Sequence, residues 1–382
     1  MQNSIALNNK MLNLFFWKIK LNPSFLTMQK LAIIVGGKSP EHDISIISGR
    51  NIYKAIDLNK YSPLVIGISK TGQWFHLLGN SLFDEKLDIG NNNNHLPLYL
   101  IPFDHSPVRY INDHSELKID VFFPITHGVL GEDGTLQGLI EHLNLPYVGP
   151  SVLGSSIGMD KDVTKTILAQ NGIMVTPWKT FYKGDNINLN NLIDELGTPL
   201  FVKPANMGSG VGVEKATNID ELNNAIQNAF NYDIKIIIEK GINGREVETA
   251  ALGNNEIKIS GVGEIIVQNG FYTYENKYIN NETKVVIPIE NFSNESVELI
   301  RNTAKKAYKA LQLEGLSRID FFFVNNNEFY LNEVNTLPGF TNISMYPKLW
   351  EAQGLSYTDL ISELALLAIQ RHELKNLLKR NL

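Results

Sequence analysis

Short apolar runs alternate with helical spacing over the first 150 residues, and that alternation leaves few folds open. Leu31 to Val35 is a compact apolar run ending in Gly36-Gly37. Asp43 to Ile56 follows with apolar residues at helical intervals, Ile44, Ile47, Ile52 and Ala55. Tyr61 to Ile68 and Val121 to Ile125 read as further strands, Leu136 to Leu143 as a helix, and Leu145 to Val148 as a short strand before a boundary. Continuous apolar strands separated by helices imply an α/β fold with a parallel sheet covered on both faces. Leu77 to Ser115 breaks the pattern and reads as an irregular, solvated insertion around Asn91 to Asn94.

The remainder divides differently. Asp160 to Asn171, Leu189 to Leu196 and Asp220 to Phe230 have helical spacing. Thr180 to Tyr182, Leu200 to Pro204, Val211 to Lys215 and Lys235 to Glu239 read as strands, making an α+β block. From about Gly244 the chain is strand-rich, with helices at Ser296 to Leu311 and Tyr357 to Asn376. The expected units are 28–150, 151–242 and 243–382, preceded by residues 1–27 as a disordered leader or mis-assigned start, with Met28 opening the working protein. A length of 382 residues suits two to three domains of roughly 150 residues.

Composition removes whole classes. There is no cysteine, so disulfides, thiolate catalysis and Cys-type zinc sites are out. A net charge of −6 disfavours a general nucleic-acid binder. No apolar stretch reaches the roughly 18 residues a membrane span needs, and the lysines Lys18 and Lys20 cut short the apolar run from Met11 to Trp17. No H-E-x-x-H pair and no G-x-S-x-G elbow occurs, which sets aside zinc proteases and α/β-hydrolases.

Two acidic strands carry the strongest chemical signal. Ser317 to Val324 and Glu328 to Asn335 flank Asn325-Asn326-Asn327, which is turn chemistry. Centring the turn between Asn326 and Asn327 sets Asp320 opposite Glu333 and Arg318 opposite Asn335, all on one face. Opposed carboxylates repel, and a cation between them resolves the conflict. Carboxylate and carboxamide oxygens without His or Cys suit Mg²⁺ shared with phosphates. The plain alternative is a surface hairpin with a solvated Arg–Asp pair.

Met207 to Gly212 is glycine-rich enough to bring backbone N–H groups onto an anion. It lacks the Gly-Lys-Ser/Thr of a Walker loop. A dinucleotide fingerprint needs a helix next, whereas Val211-Gly212-Val213 reads as strand. Lys161 and Lys203 could supply point charges to phosphate. Glu41, after Gly36-Gly37-Lys38-Ser39-Pro40, falls in the first helical turn. There it would stabilise the helix dipole by about 0.3–1 kcal/mol, or hold an ammonium group at the sheet mouth, where open α/β folds bind ligands. His127, at the same sheet end, either orients a substrate or caps its loop.

Taken in order, these segments resemble the D-alanine–D-alanine ligase family. The resemblance runs through Gly36 to Glu41, His127-Gly128, Gly131 to Gly138, Met159-Asp160-Lys161, Lys203-Pro204 with Gly208-Ser209, Glu275 to Tyr278, Gly315 to Asp320 and Asn332 to Gly339. It covers about residues 30 to 370. It implies the ATP-grasp fold: an N-terminal parallel α/β domain and two domains that clamp ATP. It implies phosphorylation of one D-alanine carboxylate, then attack by the amine of a second, for peptidoglycan synthesis.

The same resemblance assigns roles residue by residue. Asp320, Glu333 and Asn335 match the holders of two Mg²⁺ ions, with Mn²⁺ as a possible substitute. Arg318 and the Gly339 N–H match the oxyanion hole. Lys161, Lys203 and Lys277 match phosphate-contacting lysines, and Glu239, Lys240, Ile242 and Glu246 the adenosine-binding stretch. Glu41, with His127 nearby, matches the first-substrate site; Ser344 and Met345 match the pocket for the second substrate's carboxylate. Tyr278, on a segment matching a closing loop, would complete a seal with Ser209 and Glu41 and favour an amine over a hydroxyl nucleophile. Met207 departs from the acidic or polar residue many relatives carry. A cytoplasmic homodimer is implied, without nucleic-acid or membrane partners. Rival readings are a D-alanine–D-lactate or other ATP-grasp ligase, a nucleotide sensor without chemistry and a dinucleotide oxidoreductase.

Overall fold

The computed structural model describes residues 28–267, 283–325 and 328–379. The expected leader, the segment carrying Lys277 and Tyr278, and Asn326-Asn327 of the acidic turn lie outside the described residues.

The first sheet contains β1 (Gln29–Gly36), β2 (Tyr61–Ile68), β3 (Trp74–Leu77), β4 (His95–Leu100), β5 (Val108–Tyr110) and β6 (Val121–Pro124), in the order β5-β4-β3-β2-β1-β6. β1 pairs in parallel with β2 and β6. Its apolar run has a simple cause. Leu31, Ile33 and Val35 pack toward Ile46 and Ile52 of α1 (His42–Ala55). Ala32 and Ile34 pack toward Leu136 and Ile140 of α2 (Thr135–His142) on the opposite face. Alternate side chains therefore meet two different apolar layers, and neither face faces water.

The 77–115 segment corrects the expectation of irregular chain. β3, β4 and β5 extend the sheet in antiparallel fashion, and Asn91 to Asn94 form an exposed loop. Pro97 sits where β4 passes from pairing with β3 to pairing with β5, and it hides the strand pattern. The short strand expected at 145–148 is a single bridge, Phe122 to Tyr147.

Two helices, α3 (Val152–Met159) and α4 (Lys161–Gln170), lead into the second sheet. α3 was not legible, because glycine and serine are weak helix formers. Its glycines serve packing instead. A Cβ at Gly154 would lie 2.6 Å from the Gln312 carbonyl oxygen, and one at Gly158 2.5 Å from the Thr336 methyl. The second sheet, β7 (Trp178–Tyr182), β8 (Leu200–Pro204), β9 (Glu214–Ala216) and β10 (Lys235–Lys240), is antiparallel in the order β7-β10-β8-β9. Helices α5 (Leu189–Leu196) and α6 (Ile219–Ala229) cover it through Leu192, Leu222 and Ile226.

The third sheet runs β13-β12-β11-β14-β15, with β11 (Arg245–Gly253), β12 (Lys258–Val267), β13 (Thr283–Val286), β14 (Gly315–Asn325) and β15 (Glu328–Asn335), all antiparallel. One core joins its strands to α7 (Asn294–Ala310) through Ile300, Ala304 and Tyr308. Another core includes α8 (Met345–Glu351), which was also not anticipated, and α9 (Tyr357–Asn376). The same core takes in residues of β1 and β6, so α9 locks the first sheet to the third. Arg371 reinforces this link by donating to the carbonyls of Gly149 and Tyr147.

Candidate active site

The acidic hairpin has the expected register at its inner end. Asp320 pairs with Glu333, and Arg318 with Asn335. A bulge at Asn332 shifts the register toward the turn without disturbing those pairs. β11 adds a carboxylate that sequence reading missed, because Glu248 pairs with Asp320 from the other side. Glu248, Asp320 and Glu333 therefore form one row across β11, β14 and β15. The alternation of Glu246 and Glu248 along β11 was the available signal.

Arg318 holds this row together. Its Nε and Nη2 donate to Asp320 at 2.8 and 2.7 Å, and Nε lies 2.8 Å from Glu248. The Asn335 amide donates to Asp320 at 2.9 Å. Arg318, Asp320 and Glu248 are all buried, so the bridge is no solvated surface pair.

The second sheet supplies the cations. Lys203 on β8 pairs with Ile237 on β10, placing its side chain diagonal to Glu239. Lys203 Nζ lies 2.6 Å from one Glu239 oxygen, and Lys165 Nζ lies 2.8 Å from the other. Burial alone would raise the Glu239 carboxyl, but the two lysines hold it down at about 2. Burial likewise opposes the charge of Lys203, and Glu239 keeps its pKa above the ordinary lysine value. Lys161, one turn before Lys165 on α4, donates to the Met207 carbonyl and so supports the glycine loop. Lys240 is exposed at the end of β10, and Ile242 and Glu246 are half-buried beyond it.

The glycine loop is not a strand extension. Ser209, Gly210 and Gly212 have φ of 50°, 72° and 71°, a left-handed run no pleated strand can hold, so Val211 to Val213 form turns. The loop reaches the first sheet instead. Ser209 Oγ donates to Glu41 Oε1. Glu41 is the N-cap of α1 and makes no capping bond there; its buried carboxylate faces the loop. Gly128, at φ 74°, leaves it room, since a Cβ there would lie 2.7 Å from Glu41 Oε2. His127 is buried beside it, on the wall of a cavity of about 380 Å³ with Ser39 and Thr126.

Glu132 is a second carboxylate that the sequence did not single out. Its oxygens accept from the Gly128 N–H at 2.7 Å and the Leu337 N–H at 3.3 Å. Burial and then the charge of Glu41 push its pKa up to about 8, against those donors. Glu132 thereby ties the first-sheet loop to the segment carrying Gly339. Ser344 Oγ lies beside Gly339, where a Cβ would meet it at 3.0 Å, and accepts from the Thr341 N–H. The Met345 side chain turns into the core, so only its backbone remains for a ligand.

A lysine-bearing antiparallel sheet facing an acidic one, with a glycine loop between them and an open α/β sheet at the mouth, defines an ATP-grasp ligase. Family models agree. "D-ala D-ala ligase N-terminus" matches residues 30–150, and "D-ala D-ala ligase C-terminus" residues 167–366. A D-alanine–D-alanine ligase from Shouchella clausii is 47% identical, over 93% of this chain and 98% of that one. D-alanine–D-alanine ligase A of Escherichia coli K12 is 45% identical, over 92% and 99%. Among solved structures, the D-alanine–D-alanine ligase of Coxiella burnetii superposes with TM-score 0.81 at 36% identity, covering 91% of this chain and 97% of that one. A D-Ala:D-Ser ligase from Enterococcus faecalis gives 0.78 at 34%, covering 90% and 100%. A D-alanine–D-alanine ligase from Bacillus anthracis complexed with ATP gives 0.70 at 28%, covering 91% and 99%. The chain belongs to the D-alanine–D-alanine ligase family. It is an ATP-dependent ligase, and ATP-dependent ligation for peptidoglycan precursors is the role of that family.

Proposed function

We propose that this chain joins two D-alanine molecules, with each matched residue in the role that its motif implies. The carrying observation is the Ser209–Glu41 hydrogen bond, which sets the glycine loop of the nucleotide sheet directly over the ammonium-binding carboxylate. Lys161 and Lys203 hold the ATP phosphates, with Lys277 joining them from its segment. Glu239, Lys240, Ile242 and Glu246 hold adenosine. Glu41 accepts the ammonium of the first D-alanine beside His127. The carboxylate oxygen of that D-alanine attacks the γ-phosphorus of ATP, ADP leaves, and a D-alanyl phosphate forms. The amine of the second D-alanine, held by Ser344 and the Met345 backbone, attacks the carbonyl carbon. Arg318 and the Gly339 N–H stabilise the oxyanion. Phosphate leaves and the amine proton is lost, giving D-alanyl-D-alanine. Tyr278 closes the seal with Ser209 and Glu41.

Asp320, Glu333 and Asn335 fit a hard cation on donor chemistry, since all offer oxygen. Three carboxylates stand in the row with one guanidinium, which leaves net negative charge there. Among the described residues no three His, Asp or Glu side chains form a preset metal cage. Two Mg²⁺ ions, or Mn²⁺, would neutralise phosphate charge that otherwise repels the incoming carboxylate. The units 28–150, 151–242 and 243–382 act as substrate domain and two-part clamp, in a cytoplasmic homodimer. Among the described residues no helix is long and apolar enough to cross a membrane.

The test is phosphate release from ATP and Mg²⁺ with D-alanine, the product identified by mass. D-alanine-dependent release with D-alanyl-D-alanine formed is expected. Release only when D-serine or D-lactate is added would move the second-substrate assignment, and no D-alanine dependence would overturn the reading.

A further inference from the structure

Lys165 lies outside every role assigned so far, yet it is among the largest fully buried side chains of the molecule, at 0% exposure. A lysine in such a place must be paired, because an unpaired buried ammonium is costly. Its partners are Glu239 Oε1 at 2.8 Å and the Thr176 hydroxyl. The other oxygen of Glu239 lies 2.6 Å from Lys203. Lys165, Glu239 and Lys203 thus form a line of positive, negative and positive charge. It is anchored on α4 at one end and on β8 at the other.

The charge balance of this line has a consequence for phosphate. Paired with Glu239 alone, Lys203 would be half of a neutral ion pair, with both carboxylate oxygens competing for its ammonium. With Lys165 holding one oxygen, the line carries a net charge of +1. Its outer end is Lys203, the more exposed of the two lysines, at 13% against 0% for side chains. We propose that Lys165 is a positioning residue for the nucleotide, holding one oxygen of Glu239 so that Lys203 keeps net positive charge for the ATP phosphates. This inference rests on the assignment of Lys203 to phosphate.

The test compares adenosine and ATP binding by calorimetry in the intact protein, since only ATP carries the phosphates. Lys165→Met is expected to weaken ATP about tenfold or more while adenosine affinity stays within about twofold, the scale of one charged hydrogen bond. Lys165→Met combined with Glu239→Gln removes the whole buried pair and restores Lys203 as a net cation. That double variant should recover the ATP-over-adenosine ratio of the native chain even if Glu239→Gln weakens both ligands together. It also keeps the test open should the single variant fail to fold. An unchanged ratio in Lys165→Met, or a double variant with the ratio as low as the single one, would overturn the proposal. A native chain that binds ATP no better than adenosine would instead remove Lys203 from the phosphates.

Discussion

Replacing Arg318 by Met should uncover how much the acidic row depends on one guanidinium. The change keeps most of the side-chain length and removes the charge. Asp320 then loses donors at 2.8 and 2.7 Å, and Glu248 a partner at 2.8 Å. Asp320 and Glu248 stay directly opposed across β14 and β11, both buried. Breaking a buried pair from one side costs about 3–5 kcal/mol, because a charge is left uncompensated. At about 2–4 °C per kcal/mol for domains of 150–250 residues, the melting temperature should fall by about 6–20 °C. Added Mg²⁺ should recover part of that loss, since a divalent ion on Asp320 and Glu333 restores positive charge to the row. A ligand at a hundred times its Kd stabilises by about 2.7 kcal/mol. The assay is thermal melting of native and variant protein with and without Mg²⁺, with ligase turnover alongside. Arg318→Lys should fall between the two in melting temperature, keeping charge but not the planar fork. A drop under about 2 °C for Arg318→Met, or a Mg²⁺ response no larger than that of the native chain, would refute the reasoning.

Glu333→Gln should abolish turnover while leaving the melting curve in place; near-normal phosphate release would remove Glu333 from the metal set. Gly128→Ala adds a Cβ 2.7 Å from Glu41 Oε2 at a left-handed φ. It should cost about 1 kcal/mol of stability and raise the KM for D-alanine well above any change in KM for ATP, read by steady-state kinetics at varied substrate. Glu239, held at about 2 in the fold against an ordinary 4.5, has a depressed folded pKa. Its stabilising contribution is therefore full above pH 4.5 and lost as pH falls toward 2, a term of about 3 kcal/mol. Urea midpoints from pH 5 to pH 2 should fall less in Glu239→Gln than in the native chain.

The local sequence determined much of this protein. Short apolar runs and strand-type composition located β1, β2, β8 and β14, and the two-residue period of a strand set the register that opposes Asp320 to Glu333, because a one-residue slip would send the whole row to the other face. The Asn-rich turn centred that pairing even though a bulge at Asn332 displaces the outer rungs. Helical spacing located α1, α5 and α9. It failed for α3, whose glycines are selected by the backbone of Gln312 and by Thr336 rather than by helix propensity. The strand pattern was not legible for β3 to β5, which pair outward from β2 in succession.

What only the tertiary structure decided is which charges meet. Ser209 and Glu41 are 168 residues apart. Glu132 and Leu337 are 205 apart. Nothing local in the sequence distinguishes Glu132 or Lys165 from a solvated Glu or Lys. Burial makes them matter, and burial is set by the packing of three sheets against shared helices. Once water is excluded, a carboxylate or ammonium must find a partner or shift its protonation. Spacing along the chain fixes the face on which a charge stands, and only the closing of one sheet over another fixes what it faces.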